Sequence, residues 1–231
     1  LFISGLEKLQ DLTSTAEEAL AEAEKLMSSM RETCGVKAVV NISDGIHQVI
    51  ENMEYRIKHP GQVKGIPTGY QKLDRVLDGL QKTSMIVIGA RPAVGKTSFM
   101  TNILLNIANS GTPVGMFSLE MSKVQILERI MFGQSGIDPM ALRRGQKLTT
   151  YQQGAFTGAV RRIKGISFFV DDRPALRIDQ IQATARRMVA DHGVRCIGVD
   201  YLQLANPSSR GASREREVSE ISAGLKALAK E

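Results

Sequence analysis

Cysteine and histidine are scarce in this sequence, and long apolar runs are missing from it. Only two cysteines, Cys34 and Cys196, occur among its 231 residues. They make no disulfide framework, which excludes a disulfide-stapled secreted scaffold and leads us to expect a reducing cytosol. The three histidines, His47, His59 and His192, lack metal-ligand spacing, which argues against a zinc centre. No apolar stretch approaches the ~20 residues that span a bilayer, and no basic-then-apolar leader opens the chain. A membrane partner is therefore not expected. What is present suits a soluble globular protein: 42% apolar and 23% charged residues. A chain of this length buries about 70–75% of its unfolded surface, enough for one α/β domain plus an appendage.

The net charge of +6 is unevenly spread. Residues 1–32 hold three Lys/Arg and seven Asp/Glu, a balance of −4, whereas residues 123–177 hold ten and four, a balance of +6. A basic face can meet a polyanion, or simply keep peripheral helices soluble.

Periodicity organises the chain. Residues 14–31 predict a helix, with Ser14 and Glu17 as a capping box and apolar residues at helical spacing. A second amphipathic helix is predicted over 44–58, with Ser43 as its cap and Ile46, Val49, Ile50, Met53 and Ile57 on one stripe. The breaker-rich "KHPGQVKGIPTGY" (58–70) then forms a linker and turn. That stripe has little of its own to pack on, so it docks on the main domain or on a neighbouring subunit.

From residue 71 the pattern alternates. A short helix is predicted at 71–78, strands at 85–90, 114–119, 166–170 and 195–200, and helices at 97–109, 123–132, 150–163 and 179–191. Near-continuous apolar strands between helices indicate an α/β fold with a parallel sheet covered on both faces. Ligands then sit beyond the carboxyl ends of the strands, at Ala90, Leu119, Val170 and Asp200.

The residues at those ends carry chemistry. "GARPAVGKT" (89–97) joins a strand to a helix and ends in Gly95, Lys96 and Thr97. Such a loop turns backbone N–H groups inward onto phosphates, aided by the helix dipole. The expected nucleotide-binding residues are Ala90, Arg91, Pro92, Ala93, Val94, Gly95, Lys96, Thr97 and Ser98. Lys96 would reach the β- and γ-phosphates, and the Thr97 hydroxyl would ligate Mg²⁺. The pattern departs from its strict form at Ala90, the first glycine standing one place earlier, at Gly89. Asp200 ends an apolar strand, as aspartate often does, and suits a carboxylate that grips a Mg²⁺-bound water. Tyr201 follows it where many ATPases have glutamate, so the base comes from another strand. Glu120, directly after the 114–119 strand, fills that role as general base, or serves only as an acidic first-turn residue.

Three segments, 89–97, "FSLEMS" (117–122) and "DYLQL" (200–204), resemble the DnaB-type replicative DNA helicase family. "GIPTGYQKLD" (65–74), "ALRRGQKLT" (141–149) and "EREVSEISAGLKALAKE" (215–231) resemble it too, in the same order. The resemblance implies a RecA-like P-loop NTPase fold with a central, mostly parallel sheet, preceded by helical linker segments. It divides the chain into the end of a helical N-terminal domain (1–41), a linker helix and linker (42–64) and an ATPase domain (65–231), incomplete at its C-terminus. It implies ATP and Mg²⁺ as cofactors, with Lys96 and Glu120 catalytic and Thr97 and Asp200 at the metal. It further implies a homo-hexamer around single-stranded DNA, joined by helix 44–58 and an inter-subunit ATP site, in a bacterial or phage-encoded cytoplasmic protein. Primase and helicase loader would be met through parts mostly outside this sequence. The γ-phosphate sensor and arginine finger are expected beyond Glu231, so the sequence is expected to be part of a longer chain.

DNA contacts are less legible. "NPSSRGASRERE" (206–217) offers Arg210, Arg214 and Arg216 on a flexible basic loop that could track phosphates. Its arginines could equally pair with Glu215 and Glu217. Arg129, on the helix after Glu120, reaches either the nucleotide or only solvent. Two readings compete with the helicase. One is a RecA-like recombinase or circadian-type ATPase; the other is a non-hydrolysing module that nucleotide staples into an assembly.

Overall fold

The computed structural model describes residues 41–91, 93–200 and 214–231. The helix expected at 14–31 lies outside them, as do Pro92, Tyr201 and most of the 206–217 loop. The chain divides into two compact units, Leu1–Gly61 and Gln62–Glu231.

In the first unit, a 3-10 turn over Ile42–Gly45 leads into helix α1, Ile46–Lys58. The helix therefore starts two residues later than its periodicity suggests, and Ser43 is not its cap. Asn41 caps the turn instead, its side chain accepting from the Ser43 N–H at 3.1 Å. The α1 N-cap is Gly45, which offers no side chain. At the other end the His59 ring stacks on Tyr55, centroids 4.4 Å apart, before Pro60 and Gly61 stop the helix. The stripe Ile46, Val49, Ile50, Met53 and Ile57 is exposed along its whole length.

The second unit contains helices α2 (Gln71–Leu77), α3 (Lys96–Asn109), α4 (Lys123–Ser135), α5 (Pro139–Arg143), α6 (Thr150–Lys164), α7 (Ile178–His192) and α8 (Arg214–Lys230). Strands β1 (Val114–Ser118), β2 (Phe168–Asp171) and β3 (Cys196–Asp200) form one sheet in the order β2-β1-β3. All pairs are parallel, with Val114 opposite Phe168 on one side and Cys196 on the other. Alternation along β1 divides the core. Val114 and Met116 pack with Leu104, Ile107 and Ile126 from α3 and α4, while Phe117 packs with Ile181, Ala185 and Ile221 from α7 and α8. Helices thus cover both faces, as a parallel sheet requires. Gly198 lets α3 approach β3 closely, since a Cβ there would lie 2.8 Å from Leu104 Cδ1.

The run 85–90, expected as the strand before the phosphate loop, is not one. It has no ladder partner among the described residues, and Ile86 and Val87 are exposed. Apolar content favours extended backbone, but a strand also needs a neighbour to take its N–H and C=O groups. The outer edge of β3 is likewise unpaired among the described residues. Helix α5 has no counterpart among the elements expected from periodicity. Asp138 caps it by accepting from the Met140 N–H at 2.8 Å, and Pro139 opens it.

The turn before α2 is clasped onto α3. Asp74 Oδ1 accepts from the Thr68 N–H and hydroxyl at 2.8 and 2.7 Å, and Asn106 on α3 donates to the Thr68 carbonyl at 3.0 Å. Among the described residues, no helix is long and apolar enough to cross a membrane.

Candidate nucleotide site

Gly95 stands at φ +102° directly before α3, a left-handed backbone that other residues rarely adopt. Ala90, Arg91, Ala93, Val94 and Gly95 are all exposed, so the loop presents bare backbone to solvent. Lys96, Thr97 and Ser98 follow in the first turn of α3, half-buried. A helix N-terminus preceded by such a loop is a ready anion site.

The end of β3 meets the first turn of α3. Asp200, at the end of β3, is almost fully buried, yet its carboxylate is well partnered. The Thr97 hydroxyl donates to its Oδ2 at 2.5 Å, and Lys96 Nζ lies 3.8 Å from its Oδ1. The Thr101 hydroxyl donates back to the Thr97 carbonyl at 2.7 Å, fixing that turn. Thr97 and Asp200 form a hard-oxygen pair that could hold a small divalent cation, which characteristically keeps several waters and takes phosphate oxygens besides. No cluster of three or more His, Cys, Asp or Glu suited to a metal occurs among the described residues.

Glu120 is exposed and lies just beyond β1, the strand that pairs with the one ending in Asp200. The Leu119 N–H bonds the Asp200 carbonyl at 2.8 Å, extending the ladder one residue beyond β1. The Ser118 hydroxyl donates to the Met121 carbonyl at 2.7 Å and accepts from its N–H at 3.2 Å, closing a tight loop around Glu120. An exposed carboxylate held on such a loop is open to water.

Arg129 lies against the first turn of α3. From α4 its Nη1 reaches Ser98 Oγ at 3.2 Å, against the turn that follows Thr97. Sequence alone leaves this arginine between nucleotide and solvent, because a bond across 31 residues has no local signature. Of the three arginines expected at DNA, only the Arg216 side chain falls among the described residues. Arg210 and the side chain of Arg214 lie outside the described residues, and Arg216 is exposed near the start of α8.

Residues 65–231 match the family described as DnaB-like helicase C terminal domain. This chain belongs to the DnaB-like helicases. It is 38% identical over 217 residues to the replicative DNA helicase DnaC of Bacillus subtilis (strain 168), covering 93% of this chain and 48% of that protein. It is 39% identical over 214 residues to the replicative DNA helicase DnaB of Geobacillus stearothermophilus, covering 92% and 47%. The chain thus spans about half the length of these DnaB-like relatives. Among solved structures, one ATPase domain superposes with a TM-score of 0.77 at 27% identity, over 83% of this chain and 68% of that one. A DnaB-like replicative helicase, solved in a study of its interactions with primase, gives 0.74 at 25% identity over 99% and 54%. The fold is the RecA-like ATPase fold of these DnaB-like neighbours.

Proposed function

We propose that this chain is the motor portion of an ATP-hydrolysing replicative DNA helicase. The observation that carries the reading is the convergence of Thr97, Lys96 and the buried Asp200 beneath an open glycine loop, with Glu120 on the adjoining strand end. Residues 65–231 are the motor and 42–64 the linker that joins it to the segment before it.

Each side chain has a defined task. The loop amides and Lys96 bind and orient the triphosphate of ATP. The Thr97 hydroxyl directs its proton at Asp200, which leaves oxygen lone pairs for Mg²⁺, while Asp200 anchors the inner face of that site. Held by Thr97 and Asp200, Mg²⁺ would neutralise charge on the phosphate oxygens. Glu120 takes the proton of the attacking water, a contribution of about 10²–10⁴ in rate. Arg129 lies where it contacts the nucleotide as well as Ser98.

Assembly follows from α1. Its exposed apolar stripe gains cover by packing on a second copy, and repetition of that contact generates the ring, six-membered by resemblance, that encloses single-stranded DNA. The basic 206–217 segment supplies sequence-indifferent phosphate contacts. The protein works in a bacterial or phage-infected cytoplasm, with primase and loader as partners of the assembled ring.

The test is ATP turnover with and without single-stranded DNA, for the wild type and for Glu120→Gln. DNA-stimulated hydrolysis that Glu120→Gln removes, with ATP binding kept, is the expected result. Turnover by Glu120→Gln at the wild-type rate removes Glu120 from the mechanism. ATP binding without any turnover favours the non-hydrolysing assembly module.

A further inference from the structure

Asp172 lies at the start of the turn that follows β2 and takes no part in the nucleotide site described above. Its Oδ2 accepts from the backbone N–H of Lys123 at 2.8 Å, a bond between residues 49 apart in sequence. Lys123 opens α4, immediately after the loop that carries Glu120.

The surroundings of this bond are rigid on both sides. The turn holding Asp172 is braced by its neighbours: Asp171 accepts from the Arg173 N–H at 3.1 Å and from the Arg173 guanidinium at 2.6 Å, and the same guanidinium reaches Thr184 on α7 at 3.0 Å. On the α4 side, Ser122 and Gln125 form a capping box that ties the first turn of the helix together. The carboxylate also complements the positive end of the α4 dipole.

The Glu120 loop is therefore held from both flanking strands. Leu119 is bonded to Asp200 at the end of β3, Ser118 closes the loop on Met121, and Asp172 beyond β2 fixes Lys123. Glu120 itself is exposed, and these bonds fix the backbone from which its side chain projects. We infer that Asp172 is a positioning residue for hydrolysis: it holds the α4 N-terminus against β2 and thereby aims Glu120 at the attacking water. The inference rests on Glu120 being the general base.

The experiment measures ATP hydrolysis by the full-length protein that carries this chain, comparing wild type, Asp172→Ala, Asp172→Asn, Glu120→Gln and the double variant Asp172→Ala/Glu120→Gln. Asp172→Ala removes the acceptor and lowers kcat roughly tenfold with KM for ATP nearly unchanged, because a misaimed base affects the chemical step. Asp172→Asn keeps an oxygen acceptor for the Lys123 N–H and restores most of the rate. In the Glu120→Gln background Asp172→Ala causes no further loss. Unchanged kcat in Asp172→Ala overturns the inference, as does a failure of Asp172→Asn to restore it or an equal slowing of the Glu120→Gln enzyme. Wild-type turnover by Glu120→Gln instead overturns the underlying assignment of the base, whatever Asp172→Ala does.

Discussion

The hydroxyl of Thr97 donates to Asp200 Oδ2 at 2.5 Å, joining the phosphate-loop helix to a strand end 103 residues later. In the proposed function this pair is the inner wall of the cation site. Thr97→Ala removes both the ligand oxygen and the donor to a buried carboxylate. Hydrolysis should fall roughly 10²-fold or more, since the phosphates lose their aligned cation. Raising Mg²⁺ should not restore it. A variant that keeps wild-type turnover at millimolar Mg²⁺ would show that the cation is held elsewhere.

Lys96 is the cationic arm of the loop. Lys96→Ala should weaken binding of a non-hydrolysable ATP analogue by about 1.5–3 kcal/mol, or roughly 10- to 150-fold in Kd. Calorimetric titration measures this directly. Unchanged affinity would sink the phosphate assignment for 89–97.

The exposed stripe on α1 tests the assembly. Val49 and Met53 are 56% and 60% exposed, so Val49→Asp with Met53→Asp leaves the fold of the second unit intact. Substitutions of this kind change stability by only about ±0.5 kcal/mol. Sedimentation velocity of the full-length protein should then show loss of the ring. A ring that persists would mean that α1 is not part of the interface.

The Asp171–Arg173 pair gives a pH signature. The Arg173 side chain, bonded to Asp171, holds that carboxyl below its usual value of 3.8, and burial opposes this only in part. A carboxyl lowered in the folded state stabilises the fold fully above its unfolded pKa and loses that contribution as pH falls through the folded one. Arg173→Ala should therefore lower stability by about 1 kcal/mol at pH 7, a small figure because Arg173 is largely exposed. The gap from wild type should close as pH falls below about 4. Thermal melts across pH 2.5–7, the range chosen to bracket roughly the carboxylate titration, would reveal a gap independent of pH if the pair were unimportant.

Much of this fold is legible because its signals are local. The α7 stripe repeats Ile178, Ile181, Ala185 and Met188 at helical spacing, and these are the residues that are buried. Strands β1 and β3 are short apolar runs bounded by turn residues, and both form close to the expected limits. The run 85–90 has the same composition yet forms no ladder, because pairing depends on a neighbour that periodicity does not encode. Helix α5 carries cap and proline signals, but at five residues it is too short for a period to be counted.

The site divides in the same way. Gly95, Lys96 and Thr97 are contiguous, so their chemistry can be read at once. The Arg129–Ser98 and Asp172–Lys123 contacts join residues 31 and 49 apart, and only the packing of α4 against α3 and β2 creates them.

The parallel register of β1 also sets when the site can exist at all. Val114 pairs with Phe168 and with Cys196, so both neighbours of the central strand emerge long after it during synthesis. A ribosome adding roughly 5–20 residues per second needs on the order of 5–20 s to proceed from Lys96 to Asp200. Until then the phosphate loop has no carboxylate behind it and the central strand lacks its β3 neighbour. Sheets built from such distant pairings fold slowly and expose apolar edges while they wait. The nascent chain passes through a period in which it already carries its loop lysine but not the carboxylate of the proposed cation site, so a ligand needing both cannot stabilise it in that interval.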